Sequence, residues 1–293
     1  MSHNIWVLGA PDPEMEMIEA LLRAAGQQVA YACTAQGRVH PGVAYEATHA
    51  RWDPDGPPAQ GPDAGAVTHL VECAHVDGQW RHAQVIDHHR PGDPGYGLAA
   101  ARYWAGSSIG QVVDHLYHAS VDHPRLLCAC GCQMSAARCG SQQGYVVPPE
   151  WQLIAAADHC LAAAYRGECL GVDPDDLMRW RIETRARHQG REPSDVLADV
   201  ERAREMLRAR PVSQIAGAPV ADCRDVHIPE LPEAASREGL AFLGSPIRGD
   251  GRKKINLMGG TPEQIQAFLD GEIIPGLMDT YGDPQRGFAG GYH

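Results

Sequence analysis

Residues 85–97 read VIDHHRPGDPGYG. Two β-branched residues, Val85 and Ile86, read as the end of a buried strand, and three side chains able to bind a metal or move a proton follow without a spacer. In open α/β sheets, ligands and reactive groups collect in the crevice at the carboxyl ends of the strands. Asp87, His88 and His89 are therefore expected at such a crevice, together with the acids that other strand ends bring to it.

Working outward, residues 5–9 form a short apolar strand that ends in Gly-Ala-Pro-Asp-Pro. Asp12 is placed to cap, and Pro13 to enter, a helix over residues 14–25, where Met17, Ile18, Leu21 and Leu22 make one apolar stripe. Residues 28–33, 43–47, 67–73 and 84–86 read as strands, and PDGPPAQGPDAG at 54–65 reads as a loop. WQLIAAADHCLAAAY at 151–165 is a helix apolar nearly all round, and two charged amphipathic helical stretches follow it.

Pro229 and Pro232 mark a linker. Beyond it, residues 240–243 and 254–258 read as strands, and Thr261-Pro262-Glu263-Gln264 is a capping box opening a helix to about residue 274. All three phenylalanines, Phe242, Phe268 and Phe288, lie past that linker, a composition shift that suggests a separate C-terminal domain. The expectation is an α/β protein: a parallel-sheet domain with flanking helices over 1–172, a helical connector over 173–232 and a smaller α/β domain over 233–293.

Composition narrows the function classes. A chain of 293 residues with 44% hydrophobic and 21% charged residues is ordinary for a globular protein and long enough for two domains. It holds no apolar run long enough for a bilayer, and MSHNIWVLGA enters a strand without a charged leader, so a cytoplasmic protein without a membrane partner is expected. A net charge of -12 argues against tight binding to long nucleic acid but leaves room for a small anion in a local basic pocket. Nine cysteines fit reduced thiols better than a secreted disulfide framework. Cys128, Cys130, Cys132 and Cys139 lie close together, either as a zinc or iron–sulfur site or as small buried thiols; their C-x-C-x-C-x6-C spacing is not a common structural pattern.

Parallel neighbouring strands would bring Asp12, Glu14, Glu72, Asp87, His88 and His89 to one crevice, with Asp158 from the later apolar helix. Such oxygen and nitrogen donors suit Mn²⁺, Mg²⁺, Co²⁺ or Zn²⁺. Each residue has a plainer reading: Asp12 as a helix cap, Glu72 as a solvated acid, His88 or His89 as a satisfied core histidine. Asp158 resists a plain reading, because an ionised group within LIAAADHCLAAA is costly to bury unless paired.

In these residues the chain resembles the DHH phosphoesterases, a family that includes family II inorganic pyrophosphatases, oligoribonucleases, cyclic-dinucleotide phosphodiesterases and single-strand exonucleases. VIDHH matches the signature triplet, Ala10-Pro11-Asp12-Pro13-Glu14 stands where the family has Asn-Pro-Asp-x-Asp, Glu72 stands for a strand-end Asp, Ser107-Ser108-Ile109-Gly110 for a Ser/Thr-rich helix start, and Asp158 for the last metal-binding Asp. The resemblance spans roughly residues 4–170, in order.

The resemblance implies one or two divalent ions, Mn²⁺ foremost. Glu14, Glu72, His88 and Asp158 would surround one ion, Asp12 and Glu72 would begin a second site, Asp87 would orient His88, and His89 would face the substrate phosphate. Two ions would activate a water and clamp the attacked phosphorus. The pattern departs from the family at Leu8, where a histidine is expected, and at Glu14 and Glu72, whose extra methylene would require a shifted backbone. Cationic partners are expected from the C-terminal part: Arg248, Arg252 and Lys253, with Lys253 and Lys254 the only lysines, and the tail GDPQRGFAGGYH with Arg286, Gly290, Gly291 and His293. That tail has a second reading, a solvated loop with a frayed end.

The function these features imply is a metal-dependent phosphoesterase acting on a small phosphorylated substrate such as a short oligonucleotide, a nucleotide or pyrophosphate. The alternatives are a degenerate DHH-like protein that binds nucleotide or metal and regulates, favoured by the missing histidine, and a metal hydrolase of a non-phosphate bond. Neither oligomeric state nor substrate identity follows from these residues.

Overall fold

The computed structural model describes residues 4–59, 67–73, 82–119, 146–228, 230–245 and 253–293. The chain divides into two compact units, one of Met1–His88, Gly92–Gly95 and Trp104–Ala155, the other of His89–Pro91, Tyr96–Tyr103 and Ala156–His293. It is mixed α/β with two sheets, and no helix among the described residues is long and apolar enough to cross a membrane.

The first unit is organised on β1 (Asn4–Leu8), whose apolar run is buried from Ile5 to Leu8 because both faces of the strand are covered. It pairs in parallel with β2 (Gln28–Thr34) and β5 (Val67–Val71), and β5 in turn with β6 (Gln84–Ile86). Parallel neighbours need a crossover, and α1 (Pro13–Ala24) supplies the one between β1 and β2. Asp12 caps α1, its Oδ1 accepting from the Met15 N–H at 2.8 Å, with Pro13 entering the first turn. Two short strands, β3 (Gly37–Arg38) and β4 (His49–Arg51), add antiparallel to β2, so the sheet runs β3-β2-β1-β5-β6 with β4 also on β2.

The strand expected at 43–47 is instead a 3-10 turn, Ala44–Glu46, and the pairing residues come just after it. Ala44 and Ala47 are buried there, so a single turn satisfies the same small-apolar alternation as a strand. Beyond the sheet come the short helix α2 (Tyr103–Gly106), then α3 (Ser108–Ala119) and α4 (Pro149–Tyr165). Helix α4 departs from helical geometry at Cys160 (φ -154°, ψ 54°).

In the second unit, α5 (Pro174–Gln189) and α6 (Pro193–Ala209) lead into β7 (Val212–Ile215) and β8 (Ala218–Asp222), followed by α7 (Leu231–Arg237), β9 (Ala241–Gly244), β10 (Lys254–Met258), α8 (Pro262–Leu269), β11 (Met278–Asp283) and β12 (Phe288–Tyr292). The sheet order is β11-β12-β10-β9-β8-β7, antiparallel except between β8 and β9. This sheet begins with β7, ahead of the boundary expected at residue 233. Where a linker was expected, Pro232 sits in the first turn of α7, a position that does not need its missing N–H. The capping box at Thr261 and Gln264 forms as expected, but α8 stops at Leu269 rather than near 274. The glycine-rich tail is not a frayed end: after a turn at residues 284–287 it forms strand β12, paired on both sides.

Inside the first unit, His69 of β5 is fully buried, stacked on Trp6 with ring centroids 4.1 Å apart and edge-on to His115 of α3 at 4.3 Å. Neither ring nitrogen of His69 has a hydrogen-bond partner among the described residues. Burial, and secondarily the neighbouring His115, lowers its pKa to about 4, and burial lowers that of His115 as well. A neutral His69 in the fold against an ordinary histidine in the unfolded chain means that stability is fully present above the unfolded value of 6.5 and is lost as pH falls towards about 4. The expected loss is on the order of 2 kcal/mol. Melting of the full chain between pH 7 and 4 should therefore be less pH-dependent in His69→Phe, which keeps a ring against Trp6; parallel curves for the two proteins would refute this origin.

Candidate metal centre

The carboxyl ends of β1, β5 and β6 carry the acids and the imidazole. Glu14 stands in the first turn of α1, just after β1; Glu72 follows β5; Asp87 and His88 follow β6. All four are buried. Glu14, Glu72 and His88 each offer a donor atom within 4.8 Å of the others, a buried group able to hold a metal ion. His88 Nε2 lies 3.4 Å from Glu72 Oε1. Two carboxylates and one imidazole give a hard oxygen and nitrogen donor set, and two acids this close in low dielectric favour a bound cation over a shared space without one.

The surroundings fix each donor. Glu14 Oε1 accepts from the Ile109 N–H at 3.0 Å, at the N-terminus of α3, where the helix dipole favours an anion. Glu72 adopts φ 49°, a left-handed conformation that strains a residue with a Cβ. Its N–H donates to Ile86 O at 3.0 Å, and Gly9 packs so tightly against it that a Cβ at Gly9 would lie 2.3 Å from Glu72 O. Asp87 Oδ1 accepts from the His88 backbone N–H at 2.7 Å, and Oδ2 accepts from the Tyr45 hydroxyl at 2.9 Å. The carbonyl of Asp87 takes the Gly95 N–H at 2.9 Å and Gln111 Nε2 at 3.2 Å. Burial, and secondarily the nearby Asp87 and Glu72, pushes the Cys73 thiol well above its ordinary value.

Tyr45, Gly95 and Gln111 were not anticipated. Gly95 had a signal in the dense Gly/Pro content of GDPGYG: a Cβ there would lie 2.0 Å from Gly106 O and 2.7 Å from the His88 Cβ. Tyr45 and Gln111 had none, because only the folded chain brings them to Asp87.

The other anticipated residues have various placements. Asp12 caps α1 and is not part of the Glu14, Glu72 and His88 group. Leu8 is fully buried at the end of β1. Ser107 and Ser108 are fully buried; Ser107 Oγ donates to Trp104 O and accepts from the Gly110 N–H at the start of α3. His89 is half-buried and belongs to the second unit, as does Asp158 on α4. Within that unit Arg286 donates from Nε to His159 O and from Nη2 to Asp158 O, each at 2.9 Å, so it ties the β11–β12 turn to α4. Gly290 and Gly291 are strand residues of β12, where Gly290 admits the Tyr281 ring. Lys253 is exposed, and its carbonyl accepts from the His293 N–H. Arg248, Arg252, Cys128, Cys130, Cys132 and Cys139 lie outside the described residues.

The second unit also contains a cavity of about 300 Å³ lined by Ala99, Ala162, Arg166, Glu168, Pro262 and Arg286, among others. No family model matches the chain, and neither a curated protein nor a solved structure matches it.

Two substitutions test how this centre is held. Tyr45→Phe removes one hydroxyl and should weaken divalent-cation binding roughly ten-fold without unfolding the protein, the size typical when the support of a ligand is removed. Gly95→Ala should abolish cation binding, because the new methyl displaces the loop beneath His88. Titration calorimetry with Mn²⁺ reads both, and unchanged affinity in the two variants would show that Asp87 and its loop do not support the donor group.

Proposed function

We propose that this protein is a metal-dependent phosphoesterase of the DHH type, with a metal-binding domain, a helical connector and a C-terminal substrate-binding part, that hydrolyses a small phosphorylated molecule such as a short oligonucleotide, a nucleotide or pyrophosphate. The observation that carries this reading is the buried group of Glu14, Glu72 and His88 gathered beyond the carboxyl ends of parallel strands, three residues that follow one another in the order of the DHH pattern. A divalent ion held by these three, Mn²⁺ foremost, would supply Lewis acidity toward water and a phosphoryl oxygen.

The residues around it have separable duties in this reading. Glu14, seated on the α3 N-terminus, and Glu72, held beside Gly9, keep negative charge facing the ion. Asp87 keeps the backbone of His88 in place through its 2.7 Å bond, and Tyr45 keeps Asp87 in place. The roles of Asp158 as a further oxygen donor and of His89 as the group meeting the phosphate rest on the sequence pattern. A supporting role for Arg286 is its grip on the Asp158 and His159 carbonyls. The net charge of -12 disfavours a processive nuclease and favours a small substrate.

The test joins metal and activity. Elemental analysis of the purified chain, with phosphate release screened over nucleotides, dinucleotides and pyrophosphate in Mn²⁺, should find metal-dependent hydrolysis. His88→Ala and Asp158→Ala are each expected to lose bound metal and activity together, whereas Asp87→Asn should keep much of the metal and lose ten- to a hundred-fold in activity. Parental metal content in His88→Ala would overturn the metal centre. Normal metal binding with no hydrolysis of any of these substrates would overturn the phosphoesterase and leave a metal-binding protein.

A further inference from the structure

Five cysteines lie among the described residues, and all five are buried as free thiols. Cys33, Cys73 and Cys223 sit in or beside strands as small apolar fillers. Cys160 and Cys169 differ, because they face each other: their sulfurs are 3.1 Å apart, both in the second unit and nine positions apart in sequence. A covalent S–S bond is only about 1 Å shorter than this contact, so closing it needs little displacement of either side chain.

Both cysteines stand where the backbone is irregular rather than locked in a regular helix. Cys160 stands where α4 leaves helical geometry, at φ -154° and ψ 54°. Cys169 lies just past the end of the same helix, in a turn where the Glu168 N–H reaches back to Ala163 O at 3.0 Å and the Val172 N–H to Cys169 O at 3.1 Å. The Tyr103 hydroxyl closes the turn on Leu170 O at 3.1 Å. No carboxylate or imidazole joins the two sulfurs in a metal-ligating group among the described residues, so the pair is not a candidate metal site there.

We propose that Cys160 and Cys169 form a redox-modification site, closing to an intramolecular disulfide when the protein meets hydrogen peroxide and reopening in the presence of a dithiol. One sulfur attacks a peroxide oxygen and breaks the O–O bond, giving a sulfenic acid and one water. The second sulfur attacks that sulfenic sulfur, expels its oxygen as a second water and forms the S–S bond. The two thiols lose two electrons and two protons in all, and the peroxide is reduced to two waters. Because both sulfurs are buried, the reagent enters by local opening, and oxidation is slow rather than immediate. The bond fixes the kink of α4 immediately after Asp158 and His159, whose carbonyls hold Arg286. The site stands on its own and does not depend on the metal centre or on the proposed hydrolase activity.

The test uses the full chain incubated with hydrogen peroxide or with dithiothreitol, then denatured, alkylated without reduction and mapped by mass spectrometry. The expected result is a linked pair of peptides, with fragmentation placing the bond between Cys160 and Cys169, present in most of the peroxide-treated protein and absent after dithiothreitol. Cys169→Ser should abolish that species. Recovery of Cys160 and Cys169 as alkylated thiols after oxidation, or a bond from either one to a different cysteine, would overturn the proposal. The map of the parental protein decides between these outcomes even if the serine variant does not fold.

Discussion

Glu14 and Glu72, two acids with almost no exposure, come together at the end of a parallel sheet. Taking such groups out of water costs several kcal/mol each unless something replaces the water. Much of the local architecture of the first unit answers that demand. Helix α3 begins where it can offer the Ile109 N–H to Glu14, and His88 is set against Glu72. The neighbouring Asp87, as deeply buried, is met by the His88 N–H and by a hydroxyl from the turn between β3 and β4. A sheet built only for stability would place valines or leucines at these positions; the acids and imidazole here instead make a group able to hold a cation.

The same demand sets how closely the chain must pack. Gly9 and Gly95 are placed where backbone and side chains from other segments come within a distance that no Cβ allows. Glu72 sits in a left-handed conformation, a strain of about 1 to 3 kcal/mol that persists only where its surroundings enforce it. Its enforcers are visible: the hydrogen bond to Ile86 O on one side and the Gly9 backbone on the other.

How far this could be read from the chain follows the range of each signal. Apolar runs and helix caps are local, so β1, β6, β10, the Asp12 cap and the Thr261 box all stand where residue chemistry places them. Short alternating segments are ambiguous, which is why residues 43–47 read as a strand and fold as a turn. Proline near 230 marks either a linker or a helix start, and the outcome depends on what packs there. Glu230 and Glu233 are buried against Arg181, Arg185 and Gln189 of α5, an ion-pair network that holds α7 on that helix and that no local pattern announces. The glycines of the tail have the same ambiguity: Gly290 and Gly291 suit an anion-binding loop equally well, and as strand residues they make room for Tyr281 over Gly290 and for Thr280 and Leu277 beside Gly291.

Of the candidate donors, Glu72 and His88 were legible because they stand at or next to the end of a strand, and Glu14 because it lies in the first turn of the helix that leaves β1; parallel strands bring these ends together whatever the loops do. Tyr45 was not legible, since it reaches Asp87 across 42 positions of sequence from a turn with no recognisable pattern. The difference is informative about how such a site tolerates change. Donors tied to strand ends keep their backbone positions as long as the sheet forms, although a Glu there carries its carboxylate one methylene further out than an Asp would. Supports such as Tyr45 depend on loops, whose length and course are freer to vary than those of the strands. In the first unit the two kinds meet: the Glu14–Ile109 bond ties a donor to the start of α3, and the Tyr45–Asp87 bond ties a turn to the acid whose Oδ1 takes the His88 N–H.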